Sequence, residues 1–359
     1  MRLLPISICT SGMRLGKKIY NEDGIVLLNV NVELTETLIQ RLAHHGIDFL
    51  YINDPRTEDI IIPELLSDET RLKATKTIKG HFRKLMGEAG GKKATNYFFG
   101  KDFRDVMNLL IEDLSMNKDA MIMLTNIQLT DHYLYEHSLN VCIYATILGM
   151  ANGYSREELV TFGLGALLHD IGKTQISLNT LRKPGRLDAD EFTEVKRHAE
   201  LGFRILKEEP NIPLISAHCA FQHHERLDGS GYPRGLKGSE IHDYARWIGL
   251  VDAFDAMTSN RVYRSAMLPH QAMEVLFTGS GTLFDQDKIA MFRDRVAIYP
   301  IGITVTINSG EKGVVVDLNA SVPQRPIVRM IQGVLGEDIK EPYEIDLSKK
   351  LSVMIVGVN

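Results

Sequence analysis

Residues 162–173 read FGLGALLHDIGK, in which an apolar run from Phe162 to Leu168 is followed directly by His169 and Asp170. The run is typical of a buried helix, so we expect both polar side chains to lie at the end of such a helix. A single histidine at a helix end is more often structural than a metal ligand, because histidine is commonly half-buried in folded proteins. The stretch therefore predicts a helical core and leaves the role of the His-Asp pair open.

The sequence on both sides of this stretch predicts a long helical block. From residue 98 to residue 297, segments with apolar residues at helical spacing alternate with short loops, and strand signals are almost absent. Tyr299, Pro300 and Gly302 end the block. We therefore predict a mainly α chain whose central domain, residues 98–297, is all-helical.

The N-terminal segment, residues 1–60, mixes helix and strand signals. β-branched residues are frequent in 25–32, and residues 49–52 form a second short apolar run, so both are predicted strands. Between them, a helix is predicted from Thr35 to His45, where Gly46 stops it. The segment is predicted to be a small α+β module, compatible with a sensory, packing or dimerisation role.

Two further segments complete the predicted organisation. Residues 61–97 are helical in pattern and rich in basic residues, and we interpret them as a solvated helical linker. After residue 297 the apolar period changes to two, which predicts a small β-rich unit over residues 298–359. Its predicted strands are 303–307, 313–316, 326–331 and 351–356.

Composition limits the classes of partner and the compartment. A net charge of -5 over 359 residues predicts neither a nucleic-acid polymer nor an acidic membrane surface as a partner, although a small anionic ligand remains compatible with it. Cys9, Cys142 and Cys219 are widely spaced and odd in number, which fits a reducing compartment. The apolar N-terminal stretch is too short for a signal sequence, and no apolar run approaches the ~18 residues that a bilayer crossing needs. We predict a cytoplasmic protein with no membrane association.

The helical block also contains more imidazole and carboxylate groups at predicted helix ends or on predicted helices. They are His137, His198, His223, His224 and Asp252. Imidazole and carboxylate together suit first-row cations such as iron, manganese or zinc. Seven candidates exceed the needs of one tetrahedral ion but suffice for two octahedral ions that share a carboxylate. Two such ions ~3.5–4 Å apart suit an in-line phosphoryl displacement, although His-Asp and His-His pairs taken separately also arise by chance.

Two motifs together resemble a known family. HDIGK at 169–173 is followed by HHERLDGSGYP at 223–233, and both are similar to signatures of the HD-GYP family, a subgroup of the HD hydrolases that degrades cyclic di-GMP. The similarity covers roughly residues 120–297. It continues through Asp252, Asp255, Thr258, Arg261, Tyr263 and Arg264. The resemblance implies an all-helical metal hydrolase core.

Position by position, the resemblance implies a ligand set for two metal ions, iron or manganese. The first ion would be bound by His137, His169, Asp170 and Asp252. The second would be bound by His198, His223 and His224, with Asp170 bridging the two. Family members with three metals carry a glutamate four residues before the first histidine ligand, where this chain has Tyr133. A phenol is a poor metal anchor, so we predict two ions.

Three basic residues are candidates for binding substrate phosphates. Lys173 lies about one helical turn beyond Asp170, where it can polarise a phosphate oxygen or the leaving group; a surface lysine is the alternative. Arg261 and Arg264 are three residues apart and would share one face of a helix, suited either to phosphate binding or to a salt bridge.

The Gly-Tyr-Pro loop has two open interpretations. The pattern indicates no role in proton transfer for Gly229, Gly231, Tyr232 or Pro233. Glycine and proline here favour a loop of defined shape. Next to His223 and His224, such a loop would form the pocket mouth or present a surface to a protein partner.

The resemblance implies a reaction in which a metal-bridging hydroxide attacks a phosphodiester of cyclic di-GMP and gives linear pGpG, with further cleavage to GMP left open. In that reading Asp170 orients the ions and Lys173 assists charge development. One alternative is a cyclic-dinucleotide receptor with low turnover that signals through protein partners. Another is a hydrolase for a hybrid cyclic dinucleotide. Homodimerisation is also left open by the sequence.

Overall fold

The computed structural model describes residues 1–20, 25–45, 47, 49–61, 65–88, 98–116, 133–181, 183, 185–259, 267–319 and 321–358. These residues form two compact units. The helical unit comprises the described parts of Leu65–Ala120 and His132–Phe292. The terminal unit comprises the described parts of Met1–Glu64 and Arg293–Asn359.

The described part of the helical unit consists mainly of helices, as the apolar spacing predicts. Its helices are α2 (Asp68–Glu88), α3 (Gly100–Met116), α4 (Tyr133–Ala151), α5 (Arg156–Leu168), α6 (Leu178–Leu181), α7 (Ala189–Lys196), α8 (His198–Leu206), α9 (Leu214–Gln222), α10 (Asp243–Thr258), α11 (Pro269–Thr278) and α12 (Gln286–Arg293), which ends at the unit's boundary. The chain is therefore mainly helical, with sheets only in the terminal unit among the described residues.

Helix α5 is the centre of the helical unit. Ser155 and Glu158 form a capping box at its start, so its first backbone N–H groups are satisfied. From Leu159 onwards nearly every residue is buried, because α3, α4, α9 and α10 pack around it. The helix ends at His169, and Asp170 opens a short 3₁₀ helix, Ile171–Gln175. The apolar run thus delivers two polar side chains to the interior of the unit.

Helix α2 lies in the segment predicted to be a solvated linker. One face of this basic helix is apolar and carries Ala74, Ile78 and Phe82. These side chains follow each other at four-residue spacing and are fully buried. This face packs on α3, on α4 and on the 3₁₀ helix after Asp170. The structure therefore groups α2 with the helical unit, although the linker and domain boundaries from the sequence remain predictions.

The described part of the terminal unit contains three small antiparallel sheets and one α-helix. Its elements are β1 (Arg2–Pro5), β2 (Ile19–Tyr20), β3 (Val26–Leu28), α1 (Glu36–His44), β4 (Phe49–Ile52), β5 (Thr304–Ile307), β6 (Lys312–Asp317), β7 (Ile327–Gln332), β8 (Asp338–Asp346) and β9 (Ile355–Val358). The strands pair as β1-β4, as β2-β3 and in the order β8-β7-β6-β5-β9.

The strands differ from their predicted extents in several places. The strand predicted over 351–356 begins only at Ile355 and runs to Val358, because residues 351–352 form a turn. The run predicted as a strand over 25–32 is a strand only over Val26–Leu28, because Asn31 adopts a positive φ of 65° that a strand does not use. Strand β8 was not expected from the sequence, since an edge strand that is mostly exposed shows no apolar alternation. Gly46, the predicted helix stop, lies outside the described residues.

Residues from both ends of the chain build one core in the terminal unit. The buried cluster contains Leu3, Tyr51, Ile60, Ala297, Ile301, Val314 and Ile331. Arg2 also forms an ion pair with Asp54 at 2.9 Å and donates to Thr304 at 3.2 Å. The two modules that the sequence suggests at 1–60 and 298–359 are thus packed together in the structure.

The described helices include none with the length and apolar character that a bilayer crossing requires.

Candidate metal centre

The seven predicted ligands lie on helices or directly at helix ends. His137 lies on α4 and Asp252 on α10, while His169 caps α5, His198 begins α8 and His223 caps α9. His224 follows directly after His223. All seven side chains are buried except that of His224, which is partly exposed. The helix termini therefore bring the predicted ligands to one place in the unit.

Asp170 lies between two groups of histidines. Its Oδ2 is 3.6 Å from Nε2 of His137 and 3.4 Å from Nε2 of His169. Its Oδ1 is 3.3 Å from Nε2 of His198 and 3.8 Å from Nε2 of His223. The ring nitrogens and carboxylate oxygens form two overlapping donor groups, one with His137, His169 and Asp170 and one with Asp170, His198, His223 and His224. This is the arrangement that a bridging carboxylate requires.

Three of the imidazoles are oriented by backbone carbonyls three residues earlier in the chain. Nδ1 of His169 donates to the carbonyl oxygen of Ala166 at 2.7 Å, and Nδ1 of His198 donates to that of Val195 at 2.5 Å. Nδ1 of His223 makes a similar bond to the carbonyl of Ala220 at 3.0 Å. Since Nδ1 carries the proton in each ring, the lone pair is on Nε2, which faces Asp170.

His137 is oriented by a carboxylate instead. Its Nδ1 is 2.7 Å from Oδ2 of Asp255, and its Nε2 is 3.0 Å from Oδ1 of Asp252. Asp255 belongs to the pattern that resembles the family, but the sequence analysis predicts no role for it. The available signal is its position three residues after Asp252 on α10, which puts both carboxylates on one helix face.

The acidic groups of the centre are held in their charged form. Burial alone would raise the pKa of Asp170, but the positive charge of Lys173 lowers it well below its usual range. Burial likewise acts to raise the pKa of Asp252, and the hydrogen bond from His137 together with the positive charge of that ring reverses the effect. Both carboxylates are therefore available as anionic ligands.

The histidines divide into two classes of proton affinity. Burial lowers the pKa of His198 to about 4, and it lowers the pKa values of His223 and His224 well below the usual range. For His137, burial is outweighed by Asp252 and Asp255, and the pKa rises to about 9. In the absence of a cation, His137 holds the extra proton of the cluster.

The donor set fits a divalent metal ion. Nε2 of His169 and Oδ1 of Asp170 are buried and make no hydrogen bond within the described part of the chain. A buried polar atom left without a partner costs about 1–3 kcal/mol, so such atoms imply a further ligand. Imidazole nitrogen with carboxylate oxygen is the chemistry of first-row divalent cations.

The remaining predicted substrate residues have different outcomes. The ammonium group of Lys173 contacts Oδ2 of Asp170, and its side chain is 20% exposed, so it borders the centre. Arg261 and Arg264 lie outside the described residues, and so does the side chain of Tyr133. Their predicted roles stay predictions.

The Gly-Tyr-Pro loop begins at the centre itself. The ring of Tyr232 stacks on that of His224, with centroids 4.6 Å apart and planes 27° apart. Gly229 has a positive φ of 84°, which glycine adopts without strain, while Pro233 is exposed. The buried carboxylate of Glu225 accepts hydrogen bonds from the N–H groups of Arg234 at 2.8 Å and Leu236 at 2.9 Å. The sequence analysis predicts no role for Glu225.

Comparison with known families agrees with this architecture. Residues 110–287 match the family model of the HD domain, and residues 304–359 match that of a KOW domain associated with the HD domain. The helical unit also carries the two HD-GYP motifs at the centre just described. Residues 110–287 form an HD domain of the HD-GYP family. The HD family implies binding of divalent metal, in agreement with the donor set.

Relatives of the HD domain include named phosphodiesterases. A cyclic di-GMP phosphodiesterase of Pseudomonas aeruginosa is 32% identical over 226 residues, 63% of this chain and 54% of that protein. The cyclic di-GMP phosphodiesterase response regulator RpfG of Xanthomonas campestris pv. campestris is 38% identical over 164 residues, 45% of this chain and 43% of that protein. A 3'3'-cGAMP-specific phosphodiesterase of Vibrio cholerae is 34% identical over 180 residues, 50% of this chain and 39% of that protein. The chain thus spans about half the length of these relatives, or less.

A solved structure shares the fold. An HDG"Y"P protein from Bdellovibrio bacteriovorus superposes with a TM-score of 0.52 at 16% identity, covering 81% of this chain and 98% of that one. At this identity the likeness shows the fold alone.

Proposed function

We propose that the chain is a metal-dependent phosphodiesterase that hydrolyses cyclic di-GMP to linear pGpG. One observation carries the proposal: the two oxygens of Asp170 face two separate groups of histidines, 3.3–3.8 Å from their Nε2 atoms. A carboxylate in this position suits a pair of divalent cations. The names of the Pseudomonas and Xanthomonas relatives support cyclic di-GMP as the substrate.

The proposed centre holds two ions, iron or manganese. His137, His169, Asp170 and Asp252 would hold one ion, and Asp170, His198, His223 and His224 the other. When bound, such a pair lowers the pKa of a water molecule and stabilises negative charge on phosphate oxygens. The donor set supports this number and identity of the ions as part of the proposal.

The residues of the chain would then position the substrate. Lys173, which contacts Asp170, supplies a positive charge at the edge of the centre for a phosphate oxygen or the leaving group. Arg261 and Arg264 are proposed to bind the phosphates of the ligand. Further cleavage of pGpG to GMP, a cytoplasmic location, protein partners and a homodimer remain predictions from the sequence.

The test is a product analysis on the full chain. Protein loaded with iron or manganese without oxygen is incubated with cyclic di-GMP, and the products are separated and identified by mass. Linear pGpG is expected from the native chain. Asp170→Asn is expected to lose at least a hundredfold in rate, whereas Asp287→Asn, which alters an exposed carboxylate in the first turn of α12, keeps the native rate. Absence of linear product with both metals would overturn the proposal.

A hybrid cyclic dinucleotide is the second candidate substrate. The Vibrio relative is named as specific for 3'3'-cGAMP, and the proposed metal centre would act on a phosphodiester, which both ligands contain. Running cyclic di-GMP and 3'3'-cGAMP in parallel separates the candidates by the ratio of their kcat/KM values.

A further inference from the structure

His224 differs from the other histidines of the centre. Nδ1 of each of the other four donates either to a backbone carbonyl or to Asp255. No hydrogen bond to a ring nitrogen of His224 occurs within the described residues, and the nearest charged group is Oδ2 of Asp252, 3.8 Å from its Nδ1. The orientation of this imidazole must therefore have another source.

The rings of His223 and His198 are tilted or perpendicular to that imidazole, with centroids 4.0 Å and 5.0 Å away, and Tyr232 is the ring stacked on its face. The rings of Tyr232 and His224 are nearly parallel, with centroids 4.6 Å apart. The backbone N–H of Tyr232 donates to the carbonyl oxygen of His224 at 3.2 Å, so the two residues are joined through the backbone as well. The ammonium group of Lys196 lies 5.3 Å from the centroid of the Tyr232 ring, which further restricts the ring.

The loop that carries Tyr232 is tied to the same backbone. A Cβ at Gly231 would collide with backbone atoms of His224, Glu225 and Arg226, so only glycine permits this close approach. On the far side of the loop, the buried carboxylate of Glu225 holds the N–H groups of Arg234 and Leu236. The glycine and the carboxylate together fix the position of the tyrosine ring.

We infer that Tyr232 is a positioning residue, which holds His224 in the orientation that a metal ligand needs by stacking on its ring. Gly231 and Glu225 serve this role by placing the tyrosine. The inference rests on the metal centre of the proposed function but not on the identity of the substrate. It gives the Gly-Tyr-Pro motif a task inside the domain, whatever surface its exposed residues present.

The first arm of the test measures metal affinity on the full chain. Manganese binding is measured without oxygen by competition with a chelator for native protein and for Tyr232→Leu and Tyr232→Phe. Loss of an orienting contact typically costs 10–100-fold in metal affinity, so the leucine variant is expected to bind one manganese about tenfold more weakly. The phenylalanine variant keeps the ring and is expected to bind like native protein. Ser230→Ala, which alters an exposed side chain in the same loop, is the matched control.

Two results of this arm would overturn the inference. One is native affinity in a leucine variant that is folded by circular dichroism. The other is an equal loss in the phenylalanine variant, which would assign the role to the hydroxyl group. If the leucine variant does not fold, Tyr232→Met replaces it, because methionine fills similar space without a planar ring.

The second arm uses metal-free protein and is independent of the proposed function. A stacked ring shifts the proton resonances of its neighbour, so the ring signals of His224 in histidine-labelled native protein are expected to move on Tyr232→Leu and to stay in place on Ser230→Ala. Unmoved signals would overturn the inference. Native protein that shows this shift and binds no metal would instead refute the proposed function and the ligand role of His224, while the stacking contact itself stands.

Discussion

At the residue scale, each buried histidine ligand of the HD domain has a partner that determines which ring nitrogen carries the proton and where the ring points. Backbone carbonyls do this for His169, His198 and His223, and the carboxylate of Asp255 does it for His137. The two kinds of partner differ in charge. A carbonyl carries no net charge, whereas the carboxylates of Asp252 and Asp255 stabilise the imidazolium of His137 and raise its pKa to about 9.

The pKa of His137 predicts how metal affinity depends on pH. Below pH 9 the metal-free side chain holds a proton that an incoming cation must displace, so the affinity rises with pH by about tenfold per unit between pH 7 and 8. Chelator competition with manganese at these two pH values measures the slope. In Asp255→Asn one carboxylate is lost, the pKa of His137 falls and the slope becomes shallower. A native affinity that is the same at both pH values would contradict this account.

The sequence predicts the chemical types of these residues but not their partnerships. The two HD-GYP-like motifs contain four of the seven predicted donors, and the wider resemblance implies the other three, because each of these patterns is local in the chain. The contact of Asp255 with His137 joins residues on α10 and α4, and it depends on how two helices pack. No spacing rule within one segment contains that information.

At the element scale, the centre depends on the close approach of the 3₁₀ helix Ile171–Gln175 to the start of α8. Gly172 permits it, because a Cβ there would collide with the carbonyl oxygen of His198 and the N–H nitrogen of Gly202. These are backbone atoms in a helix and cannot move independently. The distance of 3.3 Å between Asp170 and His198 follows from this contact.

Gly172→Ala is therefore expected to separate Asp170 from His198. We expect a loss of about 1–3 kcal/mol in unfolding free energy and at least tenfold in metal affinity, measured by denaturant titration and chelator competition. Gly163→Ala is the matched control: it is also a buried glycine, on α5, but its Cβ would meet the end of the flexible Met107 side chain. Equal metal affinity in the two variants would refute the role of Gly172.

The sequence predicts the helices better than the strands, for a physical reason. Helix α5 repeats its apolar positions over several turns and has a complete capping box, so both its type and its limits are local properties. Strand β8 is mostly exposed and takes its place from backbone pairing with β7, which side chains in its own segment do not encode. The helical pattern of α2 is also local, but the partners that bury Ala74, Ile78 and Phe82 lie on other helices and are not encoded in its own segment.

At the scale of the whole molecule, the terminal unit is assembled from segments almost 300 residues apart in the chain. Leu3 from β1 packs in one cluster with Val314 from β6, and Arg329 forms an ion pair with Asp59. The sequence predicts two modules here because each segment has its own pattern, and the pattern does not show that they share a core.

Leu3→Ala is expected to destabilise the terminal unit by roughly 2–4 kcal/mol, because it leaves a cavity between the two segments. Limited proteolysis followed by mass spectrometry should show faster cleavage within 1–64 and within 293–359 together. Leu335→Ala, at a side chain that is 95% exposed, is the control and should leave cleavage rates unchanged. Faster cleavage in the N-terminal segment alone would argue against a shared core.

The shared core also has a consequence during biosynthesis. Leu3, Tyr51 and Ile60 leave the ribosome long before Ala297 and Val314, the residues that cover them. At ~5–20 residues translated per second, these three side chains wait roughly 12–60 seconds for their partners, whereas the cluster around Leu15 and Leu50 is formed within the first segment. We therefore expect nascent chains to need chaperone protection in this interval, longest where translation is slow, even though the helical domain between the two segments can already fold.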